Sequence, residues 1–363
     1  MKFHLFAFGI FCLSLLLPRS SAQAQEALPQ DRSSAVIFAY YRVGEDQFPG
    51  SNIRLDQFQS HIRELKDGRY NVLSLPDMVA ALQSGATLPD RAVVLTFDGG
   101  YKSVLDKAVP LLLENNIPFT LFVATDYLDR ESSEYISWAD LKKLSKNKLV
   151  TVGLHPATYT HLADAPDEEI KRLINNARAR MREVLGTEPA LFAYPFGEYS
   201  SAFHDTVAAS GFTAAFGQQS GVAFAGEDMF SLPRFPMTES YGDMDRFKMT
   251  ASALPLPVVD TEPRDPRLNS ANPVVGFTVD DALKGAIKNI SCFASGQQEK
   301  PRMELAGGGR VELRFAEAFE ENKARINCTM PGPQGEADEA PRWRWFGMLM
   351  TTPATETNLL IEQ

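Results

Sequence analysis

Side chains that could do acid–base or metal chemistry follow two apolar runs of this sequence. Asp98 comes directly after the run 92–97, and His155 comes directly after the run 150–154. His161 lies a short way beyond His155, in the same predicted loop. A carboxylate and imidazoles at neighbouring strand ends can hold a divalent metal ion. The alternatives are that Asp98 caps a helix N-terminus and that both histidines are ordinary surface residues.

Two later segments repeat this arrangement of an apolar run followed by a turn. The segment 191–199 contains a proline and glycine turn flanked by aromatic rings, and the segment 231–237 places Arg234 between two prolines. Aromatic faces suit sugar rings, although core packing is their commoner use, and Arg234 by itself could form a surface ion pair. The candidate substrate-binding residues are Tyr101, Tyr194, Pro195, Phe196, Gly197, Glu198 and Arg234.

Short apolar runs alternate with longer amphipathic segments from residue 35 to about residue 250. This alternation predicts repeated βα units and a mostly parallel sheet. Chemistry in barrel-like α/β folds lies at the carboxyl ends of the strands, where Asp98 and His155 are expected. The predicted strands are 35–40, 92–97, 119–123 and 150–154, and the predicted helices are 55–65, 101–115, 138–144 and 167–185.

The C-terminal third has a different pattern, which predicts a second domain. Residues 251–273 are rich in Pro, Asp and Asn and show no periodicity, as is typical of a linker. Residues 274–352 contain short strands separated by turn-forming residues, which predicts a small antiparallel β domain. Cys292 and Cys328 are the natural disulfide pair there, and two separate buried thiols are the alternative.

The N-terminus predicts export. Residues 1–24 have a basic start, an apolar run and a small-residue end, which is typical of a signal peptide cleaved after Ala24. Removing Lys2 and Arg19 with it would move the formal net charge from −10 to −12. Such an acidic chain argues against nucleic acid and anionic membranes as partners. We expect a secreted protein without a membrane span after cleavage, with the periplasm as its compartment; the sequence identifies no protein partner.

Four motifs in order resemble those of the polysaccharide deacetylases. They are Thr96-Phe97-Asp98-x-Gly100-Tyr101, the run 118–123, Gly153-x-His155, and Tyr194-Pro195-Phe196-Gly197. The resemblance covers residues 35 to about 245. It implies an irregular (β/α)7-type barrel, with the small antiparallel β domain following it. It also implies metal-assisted hydrolysis of N-acetyl groups on an amino-sugar glycan, with a zinc-like divalent ion as cofactor.

The resemblance also implies roles for individual residues. Asp98 matches the general base of the family, and His155 matches one metal ligand. Gly99 stands where a second aspartate usually binds the metal, and Tyr159 stands where the family has its second histidine. His161 is the residue that could replace that ligand. No histidine follows His204 to serve as the family's acid, and the alternatives are that Glu198 replaces it or that no residue does.

Three hypotheses about function follow from the sequence. The first is an exported deacetylase acting on a chitooligosaccharide or poly-N-acetylglucosamine type of glycan, with Asp98 as base and a metal held by His155 and His161. The second is a degenerate member of the family that binds glycan without hydrolysing it. The third is a structural or assembly protein that docks a partner through its β domain. Trp343 and Trp345 could mark the binding face, although core packing is the commoner use of such residues.

Overall fold

The structure is a computed structural model, and it describes residues 27–319, 323–333 and 342–352. The predicted signal peptide, residues 1–24, lies outside the described residues. Within them, none of the helices has the length and apolar character needed to cross a membrane.

Strands occur in both parts of the chain. In chain order they are β1 (Ser34–Tyr40), β2 (Arg42–Val43), β3 (Asn52–Ile53), β4 (Asn71–Val72), β5 (Ala92–Asp98), β6 (Phe119–Val123), β7 (Val150–Leu154), β8 (Leu191–Ala193), β9 (Ala214–Phe216), β10 (Ala223–Phe224), β11 (Phe235–Pro236), β12 (Leu254–Pro255), β13 (Val258–Glu262), β14 (Val275–Val279), β15 (Ser291–Ala294), β16 (Arg302–Ala306), β17 (Arg310–Arg314), β18 (Lys323–Pro331) and β19 (Trp343–Thr351).

The α-helices of the described residues lie in the first part of the chain. They are α1 (Leu55–Asp67), α2 (Leu75–Ser84), α3 (Val109–Glu114), α4 (Thr125–Asp129), α5 (Trp138–Leu144), α6 (Asp167–Leu185), α7 (Ser201–Ala209) and α8 (Met244–Ala251). Short 3₁₀ helices occupy Pro29–Arg32, Pro195–Gly197, Glu239–Tyr241, Asp281–Asn289 and Gly307–Gly309.

The parallel strands form one curled sheet that returns towards its first strand. Its order is β1–β5–β6–β7–β8–β9, with every neighbouring pair parallel. A parallel bridge joins Phe216 to Leu232, and β11 pairs with β1, so the last segment comes back to the first. All residues of β1, β5 and β6 are buried, as expected for strands covered on both faces. The predicted α/β barrel is confirmed.

The helices on the barrel follow their apolar spacing. The buried residues of α6 recur every three or four positions, and Gly186 ends the helix in the left-handed conformation at φ 76°. The predicted helix 101–115 is different, because a π-helical turn (Val104–Ala108) precedes α3. Pro110 has no N–H to donate to the preceding turn, which accounts for this interruption.

Two four-stranded sheets make up the C-terminal part. One has the order β12–β19–β18–β15, and the other has the order β13–β14–β17–β16. The segment 251–273, predicted as a linker, therefore contributes β12 and β13. Both lie at the edges of their sheets, where proline is tolerated because no ladder hydrogen bond is lost. Their pairing partners lie further along the chain, so local sequence did not reveal them.

The predicted cysteine pair forms a disulfide in one of these sheets. Cys292 in β15 stands directly opposite Cys328 in β18, with an Sγ–Sγ distance of 2.05 Å. Both residues are buried in an apolar cluster with strand residues of both sheets. The bridge therefore ties together strands that already pair through their backbones.

The C-terminal sheets contact the barrel through specific side chains. Arg344 of β19 is fully buried and forms two hydrogen bonds with Asp31, at 2.6 and 2.8 Å. The half-buried ring of Trp345 meets Phe235 of β11 edge-on at 5.1 Å, and its indole N–H donates to Asn327. Trp345 thus packs against the barrel, which accounts for it without a docked partner.

Candidate active site

Asp98 is the last residue of β5, and it forms a fully buried ion pair with Arg234. Its Oδ1 accepts a hydrogen bond from Nη1 at 2.7 Å, and its Oδ2 accepts one from Nη2 at 2.8 Å. Gln218 donates to Oδ2 as well, at 3.3 Å. A bidentate pair of this kind holds both groups in one geometry. Asp98 is therefore a fixed carboxylate at the strand end.

Arg234 is held entirely by protein groups. Its guanidinium is fully buried, and it also donates to the Thr96 hydroxyl at 3.0 Å and the Gly217 carbonyl at 2.8 Å. The ion pair with Asp98 accounts for this residue, and its role in substrate binding stays a prediction. Asp98 and Arg234 are 136 residues apart in the chain, so sequence alone gave no sign of their pairing.

Three tyrosines, Tyr41, Tyr101 and Tyr159, share the environment of Asp98. Burial raises the pKa of each phenol, and the negative charge of Asp98 raises it further. All three hydroxyls therefore stay protonated at neutral pH. They can donate hydrogen bonds next to Asp98.

His155 follows β7 and presents one open ring nitrogen. The residue is fully buried, and its Nδ1 lies 2.7 Å from the carbonyl oxygen of Ala193. A carbonyl only accepts, so Nδ1 carries the proton and Nε2 carries the lone pair. Nε2 has no partner among the described residues. Burial lowers the pKa of His155 to about 4, so the imidazole is neutral at pH 7.

Two aromatic rings link His161 to His155. Four rings form a chain in which His155 packs on Tyr159 at 4.7 Å, Tyr159 on Phe196 at 4.6 Å, and Phe196 on His161 at 4.2 Å. The two histidines stand at opposite ends of this chain. Within the described part of the chain, no group of three or more ligating side chains completes a metal site, so the metal shared by His155 and His161 stays a prediction.

His161 instead forms a charged cluster with Glu198 and Lys323. The buried carboxylate of Glu198 lies 2.6 Å from His161 Nδ1 and 2.6 Å from Lys323 Nζ. Burial acts to raise the pKa of Glu198, but the hydrogen bonds from His161 and Lys323 outweigh it and hold the pKa below its usual value. Glu198 is therefore ionised at neutral pH, which does not suit a proton donor. Lys323 belongs to β18, so this cluster joins the C-terminal sheets to the barrel mouth.

The residues present do not fit the family's metal ion. Among the described residues, no group of three or more His, Cys, Asp or Glu side chains could hold a metal. Gly99 supplies no ligand and has a φ of +94°, and a Cβ there would lie 2.6 Å from the Tyr101 ring. Tyr159 supplies a protonated phenol where a second histidine is usual. The lone pair of His155 Nε2 supplies one metal ligand, and a zinc site needs at least three protein ligands.

The turn 194–198 has a structural role. Tyr194 is fully buried, and its hydroxyl donates to the Phe230 carbonyl at 2.9 Å. Pro195 and Gly197 are also buried, and a side chain at Gly197 would collide with Gln218. Packing accounts for these three residues, and their part in substrate binding stays a prediction. Phe196 is partly exposed and stays a candidate contact.

Tyr101 also keeps its place as a candidate contact. It is half-buried, Arg42 lies over its ring at 3.9 Å, and Tyr135 stacks on it at 5.5 Å. Sequence reasoning missed Tyr41 and Gln218, which also approach Asp98. Each lies within two residues of the end of a barrel strand, so the strand-end rule that identified Asp98 would have found both.

Comparison with known proteins supports the family. Residues 85–215 match the family model described as polysaccharide deacetylase. The poly-beta-1,6-N-acetyl-D-glucosamine N-deacetylase of Escherichia coli (strain K12) is 22% identical over 264 residues, covering 61% of this chain and 39% of that protein. The enzyme of the same name from Staphylococcus aureus (strain MSSA476) is 23% identical over 232 residues, covering 54% of this chain and 80% of that protein.

A solved structure shows the same fold. The IcaB structure from Ammonifex degensii superposes with a TM-score of 0.55 at 23% identity, covering 61% of this chain and 98% of that one. The match to the Escherichia coli protein spans well under half of its length. The family model covers residues 85–215, the part of the barrel that carries Asp98 and His155.

Proposed function

The barrel of this chain is related to the polysaccharide deacetylases, and from that premise we propose that the chain is an exported glycan N-deacetylase. Its substrate would be an N-acetylated amino-sugar glycan of the poly-N-acetylglucosamine or chitooligosaccharide type. The names of the sequence relatives support this class of substrate. The observation that carries the proposal is the placement of Asp98 and His155 at the ends of β5 and β7 on one barrel.

The chain's own residues suggest how they would act on an acetamide group. Asp98, paired with Arg234, would take a proton from the attacking water as the water oxygen bonds to the acetyl carbon. It would return that proton to the sugar nitrogen as the C–N bond breaks and acetate leaves. His155 Nε2 would accept a hydrogen bond from the water or the amide. The neutral Tyr159 hydroxyl would donate to the carbonyl oxygen as negative charge develops there. We assign no metal-dependent step, because the described residues do not complete a ligand set.

Glycan binding without hydrolysis is a second candidate function. The observation that favours it is the closed geometry of Asp98, both of whose carboxylate oxygens accept hydrogen bonds from Arg234. Gly99 and Tyr159 leave the ion site incomplete beside it. A barrel of this kind would keep the shape that recognises the glycan and lose the activated water.

One experiment separates the two functions. Purified protein is incubated with N-acetylglucosamine oligomers, with and without added zinc; acetate release and oligomer binding are both measured. Acetate release supports the deacetylase, whereas binding without acetate supports the second function. If the protein neither binds the oligomers nor releases acetate, both proposals fail.

Two variants test the assigned residues. Asp98→Asn should lower any acetate release by roughly 10²–10⁴-fold, the usual effect of losing a general base. It also leaves Arg234 buried without a counter-charge, at a cost of about 3–5 kcal/mol of stability, so its folding is checked by circular dichroism. Tyr159→Phe keeps the ring and the ion pair, and it should slow hydrolysis while binding persists.

A further inference from the structure

Gln218 connects the candidate active site to the C-terminal sheets. It lies two residues after β9 and is only 4% exposed, and its Nε2 donates to Asp98 Oδ2 at 3.3 Å. Its backbone carbonyl accepts a hydrogen bond from Arg325 Nη1 at 2.7 Å. Arg325 belongs to β18. A single residue therefore joins a strand of the C-terminal sheets to the carboxylate at the end of β5.

The backbone on both sides of Gln218 is held by two arginines. The carbonyls of Gly217 and Gln219 accept hydrogen bonds from Arg234, the first from its Nε at 2.8 Å and the second from its backbone N–H at 3.0 Å. The carbonyl between them, that of Gln218, is held by Arg325. Among the described residues, Arg325 is therefore the support of these three carbonyls that lies outside the barrel.

The turn after β8 packs closely on Gln218. A Cβ at Gly197 would lie 2.4 Å from the Cβ and from the backbone nitrogen of Gln218. The two segments approach each other as closely as a glycine allows. The backbone position of Gln218 therefore decides where its side-chain amide lies relative to Asp98.

The hydrogen bonds to Asp98 differ between its two oxygens. A carboxylate offers about four lone-pair positions, two on each oxygen. Oδ2 accepts from both Arg234 Nη2 and Gln218 Nε2, whereas the described residues give Oδ1 only the bond from Arg234 Nη1. Oδ1 is therefore the oxygen with a lone pair left for the proton of a water, and Gln218 keeps Oδ2 occupied.

Arg325 differs from the cation next to it on the same face of β18. Lys323 pairs with the carboxylate of Glu198, whereas Arg325 forms no ion pair with a carboxylate in the part of the chain that the structure describes. Burial raises the pKa of Tyr41, the charge of Asp98 raises it further, and the charge of Arg325 acts against this rise. Arg325 therefore lies within electrostatic reach of the candidate active site.

We propose that Gln218 and Arg325 are positioning residues for the hydrolysis at Asp98. Arg325 holds the Gln218 carbonyl, and Gln218 holds the Asp98 carboxylate with a lone pair of Oδ1 left for the attacking water. The C-terminal sheets therefore complete the active site of the barrel. The role of both residues in a reaction rests on the proposed function.

The test is a double-mutant cycle on acetate release from N-acetylglucosamine oligomers by the full chain. Gln218→Met keeps the length of the side chain and removes its N–H donor, and Arg325→Ala removes the support of the backbone carbonyl. A displacement of about 1 Å can cost roughly 10²-fold in rate. Each variant should lower kcat about tenfold and change KM less than twofold. The double variant should be no slower than the slower single variant, because Arg325 acts through Gln218.

Two further variants separate positioning from a general loosening of the C-terminal sheets. Arg325→Lys can still donate to the Gln218 carbonyl, so it should recover part of the lost kcat, and it serves in the cycle if Arg325→Ala does not fold. Asn327→Ala is the matched control, because Asn327 lies on the same face of β18 and bonds to Trp345, which packs on the barrel. It should change kcat less than twofold. Circular dichroism and urea unfolding check the fold of every variant.

The possible outcomes separate this role from the proposed function. An unchanged kcat in Gln218→Met, or an equal loss in Asn327→Ala, overturns the positioning role and leaves the proposed hydrolysis standing. Independent losses that multiply in the double variant show that Arg325 does not act through Gln218, which also overturns it. A wild type that releases no acetate rejects the proposed hydrolysis and the positioning role together.

Discussion

Gly99 shows how one backbone conformation excludes a metal ligand. Its φ of +94° lies in the left-handed region, which L side chains rarely adopt, and the Tyr101 ring fills the space where a Cβ would be. An aspartate at position 99 would have to adopt this unfavourable backbone conformation, and the Tyr101 ring would have to move to make room for its side chain.

Gly99→Asp should destabilise the protein without creating a zinc site. We expect a loss of about 1–3 kcal/mol from the backbone conformation alone, with the collision against Tyr101 added to it. The matched control is Gly226→Asp, because Gly226 has a φ of +95° and no atom near the added Cβ. Urea unfolding should show the larger loss for Gly99→Asp. Tight zinc binding by that variant in a calorimetric titration would contradict this account.

The buried histidines give stability a defined dependence on pH. Burial lowers the pKa of His61 and of His155 to about 4, so their contribution is present above pH 6.5 and is lost as the pH falls towards 4. Hydrogen bonding to Asp228 raises the pKa of His204 to about 9. Its contribution is complete below pH 6.5 and is lost as the pH rises through 9.

His204→Asn should make the free energy of unfolding fall less as the pH rises towards 9. The free energy of unfolding is measured in urea between pH 6 and pH 9.5 for the wild type and the variant. The difference between them should shrink as the pH rises, because only the wild type carries the favourable His204–Asp228 charge pair. A difference that stays constant over this range would contradict the assignment. The stability difference between wild type and variant shrinks with rising pH only if His204 is protonated in the folded state at the lower pH.

At the scale of elements, local signals predicted four of the parallel strands, β1, β5, β6 and β7, and the helices α1, α5 and α6. The helix expected at 167–185 is α6 with the same bounds, because its acidic first turn and Gly186 mark both ends within a few residues. The strand runs 92–97 and 119–123 became β5 and β6, because uninterrupted apolar runs identify strands buried on both faces. Such elements depend little on partners far along the chain.

Elements and contacts that depend on distant partners could not be predicted. β12 is only two residues long, and it forms because β19 offers it a parallel edge. The site is similar: the strand ends located Asp98 and His155, but the pairing of Asp98 with Arg234 and of His161 with Glu198 required the folded barrel. Types and spacing of residues suggested a shared metal, and the rings of Tyr159 and Phe196 between the histidines carried no sequence signal.

The disulfide should stabilise the C-terminal sheets. Cys292 and Cys328 enclose a separation of 36 residues, for which a bridge contributes about 2–4 kcal/mol. Cys292→Ala with Cys328→Ala should lower the free energy of unfolding by that amount. Treatment with a reductant should bring the wild type down to the same value and leave the double variant unchanged. Equal stability of the oxidised wild type and the double variant would show that the bridge contributes nothing.

On the scale of the whole molecule, the two parts of the chain are held by buried polar contacts. Arg344 reaches Asp31, Lys323 reaches Glu198, and Arg325 donates to the Gln218 carbonyl at 2.7 Å. A buried charge that loses its partner is left uncompensated. Separating the C-terminal sheets from the barrel would break two such pairs, Arg344–Asp31 and Lys323–Glu198. The predicted division into two domains therefore remains a proposal about folding units.

We expect the described parts to unfold in one transition. In Trp138→Phe, the remaining tryptophans, Trp343 and Trp345, lie in β19 and report on the C-terminal sheets. Circular dichroism at helix wavelengths reports on the barrel, because α1 to α8 lie between residues 55 and 251. The two midpoints should coincide in urea. Separate midpoints would show two independent domains with a boundary near residues 251–273.

The ion pair between Asp31 and Arg344 fixes when the native state can be completed during synthesis. The two residues are 313 positions apart, so all the residues between them must leave the ribosome before they meet. Until then the carboxylate beside β1 has no guanidinium, and the ring of Phe235 has no Trp345 against it. The barrel therefore reaches its finished form only after β19 has been made, even though its own strands are made first.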